Sequence, residues 1–211
     1  QGDDGQVLTS TGSGVAWEAA SGGATDINGL SDAKTFGTSS IMLGDATTGT
    51  IDAANYNTGL GVDVFEDLTS GDNNSAFGFF ALGNNTSGGN NTVVGAYAGS
   101  LNVDDAENTI VGYAANYPDG GSRVTAVGSQ ALNSNTASDN TAVGSLALNA
   151  TVGGANNTAV GSRAGIGITS GSENTFLGYR AGSTTTTATT NVVIGSFALD
   201  NGAANTGGLN T

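Results

Sequence analysis

The chain has 211 residues, with four Lys or Arg against eighteen Asp or Glu, no histidine, no cysteine and a net charge of −14. The missing thiols and imidazoles exclude cysteine and histidine nucleophiles, disulfide staples and the usual zinc ligand sets, and the lack of a basic cluster sets nucleic acid aside as a partner. Glycine numbers 36 and charged residues make up only 10%, a balance that suits neither an ordinary globular domain nor a charge-rich disordered tail.

Residues 1–20 read as a unit of their own. Gln6, Val7, Leu8, Thr9 and Ser10, and then Val15, Ala16, Trp17 and Glu18, are β-prone runs flanking a turn at Thr11, Gly12, Ser13 and Gly14. That is the pattern of a small β-hairpin, with Trp17 as a packing anchor rather than a sugar-stacking platform. Residues 21–40 read as a connector with a brief helix expected near Ser31 and Lys34. No apolar run reaches the length of a membrane span and no signal peptide opens the chain. Gln1 in place of a start methionine, and a repeat that begins anew at Asn210 and Thr211, suggest a piece of a longer polypeptide.

Residues 41–211 are a repeat array. The phrase Asn140, Thr141, Ala142, Val143, Gly144 returns with its closing glycine at Gly61, Gly78, Gly95, Gly112, Gly128, Gly144, Gly161, Gly178 and Gly195, in steps of 16 or 17 residues. A fainter copy ends at Gly44. This period is too short for paired helices and predicts an all-β fold, a β-solenoid with one coil per repeat. Four residues before the glycine stands Asn, replaced once by Val124. Three before it stands a hydroxyl residue, from Thr58 to Thr175, replaced by Val192. One before it is always a sizeable apolar residue (Leu60, Phe77, Val94, Val111, Val127, Val143, Val160, Leu177, Ile194), and two before it is usually apolar too.

Adjacent strand residues point to opposite faces, so apolar side chains at both positions predict a strand covered on both sides. A coil of this length has room for two strands of about 4 to 5 residues, and its thin interior suits alanine columns such as Ala131, Ala147 and Ala164. One apolar face then remains outside. Several identical chains packed around a common axis would cover it coil after coil.

The acids are concentrated early. Residues 1–72 hold eleven against Lys34 alone, for −10, and residues 73–211 hold seven against Arg123, Arg163 and Arg180, for −4. This charge is read as serving solubility. Asp3 and Asp4, the group Asp63, Glu66 and Asp67, and the group Asp104, Asp105 and Glu107 offer carboxylates of the kind that bind Ca²⁺ or act as a glycosidase pair. None has an EF-hand or Ca²⁺-binding nonapeptide pattern, and a thin coil offers no deep cleft. They read as solvated corner carboxylates, so no catalytic, cofactor or metal residue is assigned. Two variable columns follow the glycine and include Phe79, Tyr113 and Tyr179, then Phe80, Tyr97 and Phe197. They fill a seam between chains or, if exposed, stack on glycans. The stretches 100–107, 116–123 and 183–190 read as longer connections suited to contact.

The opening Gly5, Gln6, Val7, Leu8, Thr9, Ser10 with Gly14 and Trp17 resembles a short module of phage tail-fibre and related collagen-like proteins. The repeats, as in Asn157, Thr158, Ala159, Val160 and Gly161, resemble tail-fibre shafts and are similar to the head repeats of trimeric autotransporter adhesins. The resemblance implies a homotrimeric, left-handed parallel β-roll, followed in many tail fibres by a cleaved intramolecular chaperone of the endosialidase type, a segment not found in this sequence. It implies a structural and attachment role as a virion fibre shaft holding a host-receptor-binding tip, with other tail proteins and a cell-surface glycan or protein as partners. An adhesin head on a bacterial surface is the alternative of the same architecture. An ice-binding solenoid and a polysaccharide-degrading tail spike are alternatives of other classes.

Overall fold

The computed structural model describes residues 39–44, 53–118 and 120–200 in full, and the backbone of strands β1 (Gln6–Ser10), β2 (Val15–Ala19) and β3 (Ala33–Phe36). β1 and β2 pair antiparallel, Gln6 opposite Ala19 and Ser10 opposite Val15. The turn expected at residues 11–14, the Trp17 side chain, Asp3 and Asp4 lie outside the described residues. The brief helix expected near residues 31–34 gives way to a strand over Ala33–Phe36, paired antiparallel with β4 (Ser40–Leu43), Lys34 opposite Met42. So short a stretch cannot meet the cost of helix nucleation, whereas the edge of the first coil supplies backbone partners to Thr35 and Phe36.

Nine three-residue strands continue the sheet from β4: β5 (Thr58–Leu60), β6 (Ser75–Phe77), β7 (Thr92–Val94), β8 (Thr109–Val111), β9 (Thr125–Val127), β10 (Thr141–Val143), β11 (Thr158–Val160), β12 (Thr175–Leu177) and β13 (Val192–Ile194). From β5 to β13 each strand lies parallel to its predecessor and in sequential order. The chain is thus a β-solenoid of about nine turns, and nine interstrand steps make it roughly 43 Å tall. The repeat columns stack directly, Thr141 on Thr158 and Val143 on Val160. The two 16-residue steps leave this register intact, with Thr109 opposite Thr125 and Thr125 opposite Thr141. Their missing residue is taken up in a corner.

One strand per coil forms, not the expected two. The rest of each coil passes through left-handed backbone at non-glycine residues, in one coil at Leu146 (φ 61°), Leu148 (φ 49°) and Asn156 (φ 58°). Such positions cost about 1–2 kcal/mol each for an L-residue. Hydrogen bonds to the next coil offset that cost even here, as from Leu148 N–H to Ala164 O (3.0 Å) and from Val152 N–H to Thr169 O (2.8 Å). The stretches 100–107 and 183–190, expected as longer connections, are corners of ordinary length within this stack, and 116–123, of which residue 119 lies outside the described residues, falls in a coil one residue shorter.

The interior is narrow and its columns compensate in size. Ala126, Ala142 and Ala159 from the strands, Ala131, Ala147 and Ala164 from the corners, and Leu132 and Leu148 beyond them are fully buried. Where the strand carries Phe176 instead of Ala, Gly165 and Gly182 flank its ring, and a methyl group on either would collide with it. Where the corner carries Phe65, the strand carries Gly59 against it. Large faces small, as close packing at constant cross-section demands.

The asparagine column is also inside. Asn57, Asn74, Asn91, Asn140 and Asn157 are fully buried, and each accepts the backbone N–H of the next coil, as Asn140 Oδ1 does from Asn157 (2.9 Å). Its Nδ2 donates to a carbonyl across the coil, as from Asn140 to Gly154 O (2.7 Å). A buried amide that meets its demand in both directions is tolerated in an otherwise apolar core.

Candidate interaction surface

Within one chain the strand is covered on one face, and the face that the sequence reading leaves for neighbouring chains points outward. In every three-residue strand from β5 to β13 the middle residue is buried, and its neighbours point outward. The outward neighbours form two parallel rows. One is the hydroxyl row, Thr58, Ser75, Thr92, Thr109, Thr125, Thr141, Thr158 and Thr175, closed by Val192. The other is apolar and unbroken over nine coils, and its members stack residue on residue through the parallel register. Leu60, Phe77, Val94, Val143, Val160, Leu177 and Ile194 are exposed, Ile194 to 65%, and Val111 and Val127 are half-buried. The strip runs roughly 38 Å along the axis.

This row cannot turn inward. The interior is already filled by the middle residue and the corner columns, and alternation fixes the direction of each side chain. A contiguous apolar strip of this extent is a candidate interaction surface.

A second apolar feature lies in the variable columns after the glycine. Phe79 meets Tyr97 edge-on at 5.1 Å between ring centroids, and Tyr97 lies 6.3 Å from both Tyr113 and Tyr117. Phe79, Tyr97 and Tyr113 are exposed. A smaller copy joins Tyr179 to Phe197 at 5.1 Å, with the Arg180 guanidinium 5.7 Å from the Phe197 ring. The same columns carry Ser129, Ser145 and Ser162 in the coils between, so the aromatic groups are local while the apolar row is periodic.

The acids are spread over the corners. Asp104 and Glu107 are exposed and Asp105 half-buried, the last accepting a hydrogen bond from Ser122 Oγ (3.3 Å). Asp67 accepts from Asn84 Nδ2 (3.2 Å). Among the described residues no three carboxylates gather as a metal site would need. The stacked corner column that holds Glu107, Arg123 and Asp139 does form an ion pair. Arg123 meets Asp139 through both Nε (2.7 Å) and Nη2 (2.9 Å). The hydrogen bond from Arg123, and with it the guanidinium charge, holds the Asp139 carboxyl below its usual range; the same bond and charge raise the guanidinium.

No protein-family model matches the sequence, and neither a curated protein nor a solved structure does.

Proposed function

We propose that this chain is the shaft of a homotrimeric fibre, a structural and attachment protein without catalytic activity. In this reading it belongs to a phage tail fibre, joins other tail or fibre proteins, and carries a host-receptor-binding tip away from the particle. The observation that carries the trimer is the unbroken outward apolar row from Leu60 to Ile194, presented by a solenoid whose own interior is full. Cyclic symmetry lets one contact repeat at every coil, so three copies bury the row along its whole length. The β1–β2 pair serves as an N-terminal hairpin module, and coil-to-coil hydrogen bonds running along the axis give the stiffness a shaft needs. The exposed aromatic group around Tyr97 offers stacking faces to a cell-surface glycan. A bacterial surface adhesin head would use the same architecture and the same seam.

One observation favours a reading of a different class. The hydroxyl row from Thr58 to Thr175 faces outward in strict register beside the apolar row, and such an array on a flat sheet suits ice binding if it is wet. The two readings compete for one face. Solution mass with thermal hysteresis separates them: a trimer without hysteresis supports the shaft, and a monomer with hysteresis supports ice binding and overturns it.

A further inference from the structure

Charge is distributed unequally along the stack. Residues 140–200 hold Glu173 and Asp200 against Arg163 and Arg180, so this end is neutral although the chain as a whole carries −14. Arg163 and Arg180 stand two residues after Gly161 and Gly178, at the same corner of successive coils. Their backbones are held alike, Arg163 N–H donating to Ser145 O (2.9 Å) and Arg180 N–H to Ser162 O (3.0 Å). One coil step, about 4.8 Å, separates them. Like charges so placed repel, and the chain answers only one of the two. Arg180 pairs with Asp200 (3.1 Å), which also accepts from Ser183 Oγ. Arg123, in an earlier coil, has Asp139. Arg163 is exposed and, among the described residues, is the one arginine with no ion pair.

Aromatic rings occupy the coils that follow this cation. Tyr179 is 41% and Phe197 53% exposed. Their rings meet edge-on, at 85°, and the Arg180 guanidinium lies near the Phe197 ring. The coil does not need these side chains in order to close. The column of Tyr179 carries Ser129, Ser145, Ser162 and Ser196 elsewhere, and the column of Arg163 carries Gln130 in the same left-handed backbone, φ 56° against 59°. Nor do they suit a seam between copies, since such a contact recurs coil after coil and these residues do not.

We propose that Arg163, with Tyr179 and Phe197, binds a saccharide bearing a carboxylate, of the uronic or sialic acid class. A guanidinium takes a carboxylate through two parallel hydrogen bonds, and the C–H face of a pyranose packs on an exposed aromatic ring. An unpaired cation next to ring faces matches both parts of such a sugar. A neutral glycan leaves Arg163 without a counter-charge, and a nucleic acid or an anionic membrane calls for a cluster of cations that this surface lacks. The proposal rests on the attachment reading, for which it names the ligand class. Its site lies within one coil stack, so solution mass tests the seam and ligand titration tests the site, and either fails without the other.

The test is NMR-detected titration of the full chain in its native assembly with trigalacturonate, a hyaluronan tetrasaccharide and sialyllactose, alongside a neutral galactose oligomer and inorganic phosphate. At least one carboxylated sugar is expected to bind at millimolar concentration or tighter, shifting the Arg163 side-chain and Tyr179 ring signals, with affinity that falls as salt rises. Arg163→Gln and Tyr179→Ser place residues that these columns carry in other coils. Each is expected to weaken binding about tenfold, the cost of one charge-assisted or stacking contact, with mass and circular dichroism unchanged. Indifference to all three acidic sugars, equal binding of the neutral oligomer, a response to phosphate alone, or full affinity in both variants overturns the proposal.

Discussion

At the residue scale the fold depends on asparagines that a composition table would call polar filler. From Asn57 to Asn174 every amide of the ladder except that of Asn108 supplies an acceptor to the next coil and a donor to its own, so removing one strands two buried backbone groups. Asn157→Leu leaves the Asn174 N–H and the Gly171 carbonyl without the partners they have at 3.0 and 2.8 Å. At about 1–3 kcal/mol for each unsatisfied group, the expected loss is about 2–4 kcal/mol, read as a fall in the denaturant midpoint. At the surface, Asp139 titrates below the ordinary aspartate range because of Arg123. A depressed carboxylate stabilises the fold above its unfolded pKa, and that contribution disappears as pH falls through the folded value. Carboxyl NMR titration is expected to show the Asp139 transition moving up toward the usual range in Arg123→Gln, and moving up in high salt as the pair is screened.

At the element scale the closing glycine sets the corner. Gly144 has φ 136°, and a Cβ there would lie 2.6 Å from the backbone of Gly161 in the next coil. Gly144→Ala therefore combines a disfavoured backbone with a clash that no rotamer relieves. A loss of about 3 kcal/mol or more is expected, measured by thermal unfolding. The glycine column, the period and the coil-to-coil register were legible in the sequence because each is a spacing. The left-handed corners were not, since Leu146, Arg163 and Phe197 carry no mark of positive φ; stacking on identical coils imposes it. For the same reason one three-residue strand forms where two longer ones were expected. β3 was missed because its identity comes from the exposed edge of β4 and not from its own four residues.

At the scale of the whole molecule, the sequence showed that the strand had two apolar columns but not which of them the chain could hide by itself. Size decides it. The column of Ala126, Ala142 and Ala159 fits inside a coil already occupied by Leu132 and Leu148, and the larger row of Val143, Val160 and Leu177 is left outside. Placing charge in that row tests its use directly. Val143→Asp with Val160→Asp leaves the coil interior untouched and, in a trimer, sets like charges against one another around the axis. Dissociation into folded monomers, seen as a fall in mass with an unchanged circular dichroism spectrum, is the expected outcome.

The most direct measurement is the mass of the unmodified chain by sedimentation equilibrium, with sedimentation velocity for its shape. An elongated particle of three times the 20.4 kDa chain mass is expected at micromolar concentration. A folded, soluble particle of one chain mass would contradict the claim that the outward row is a seam between copies.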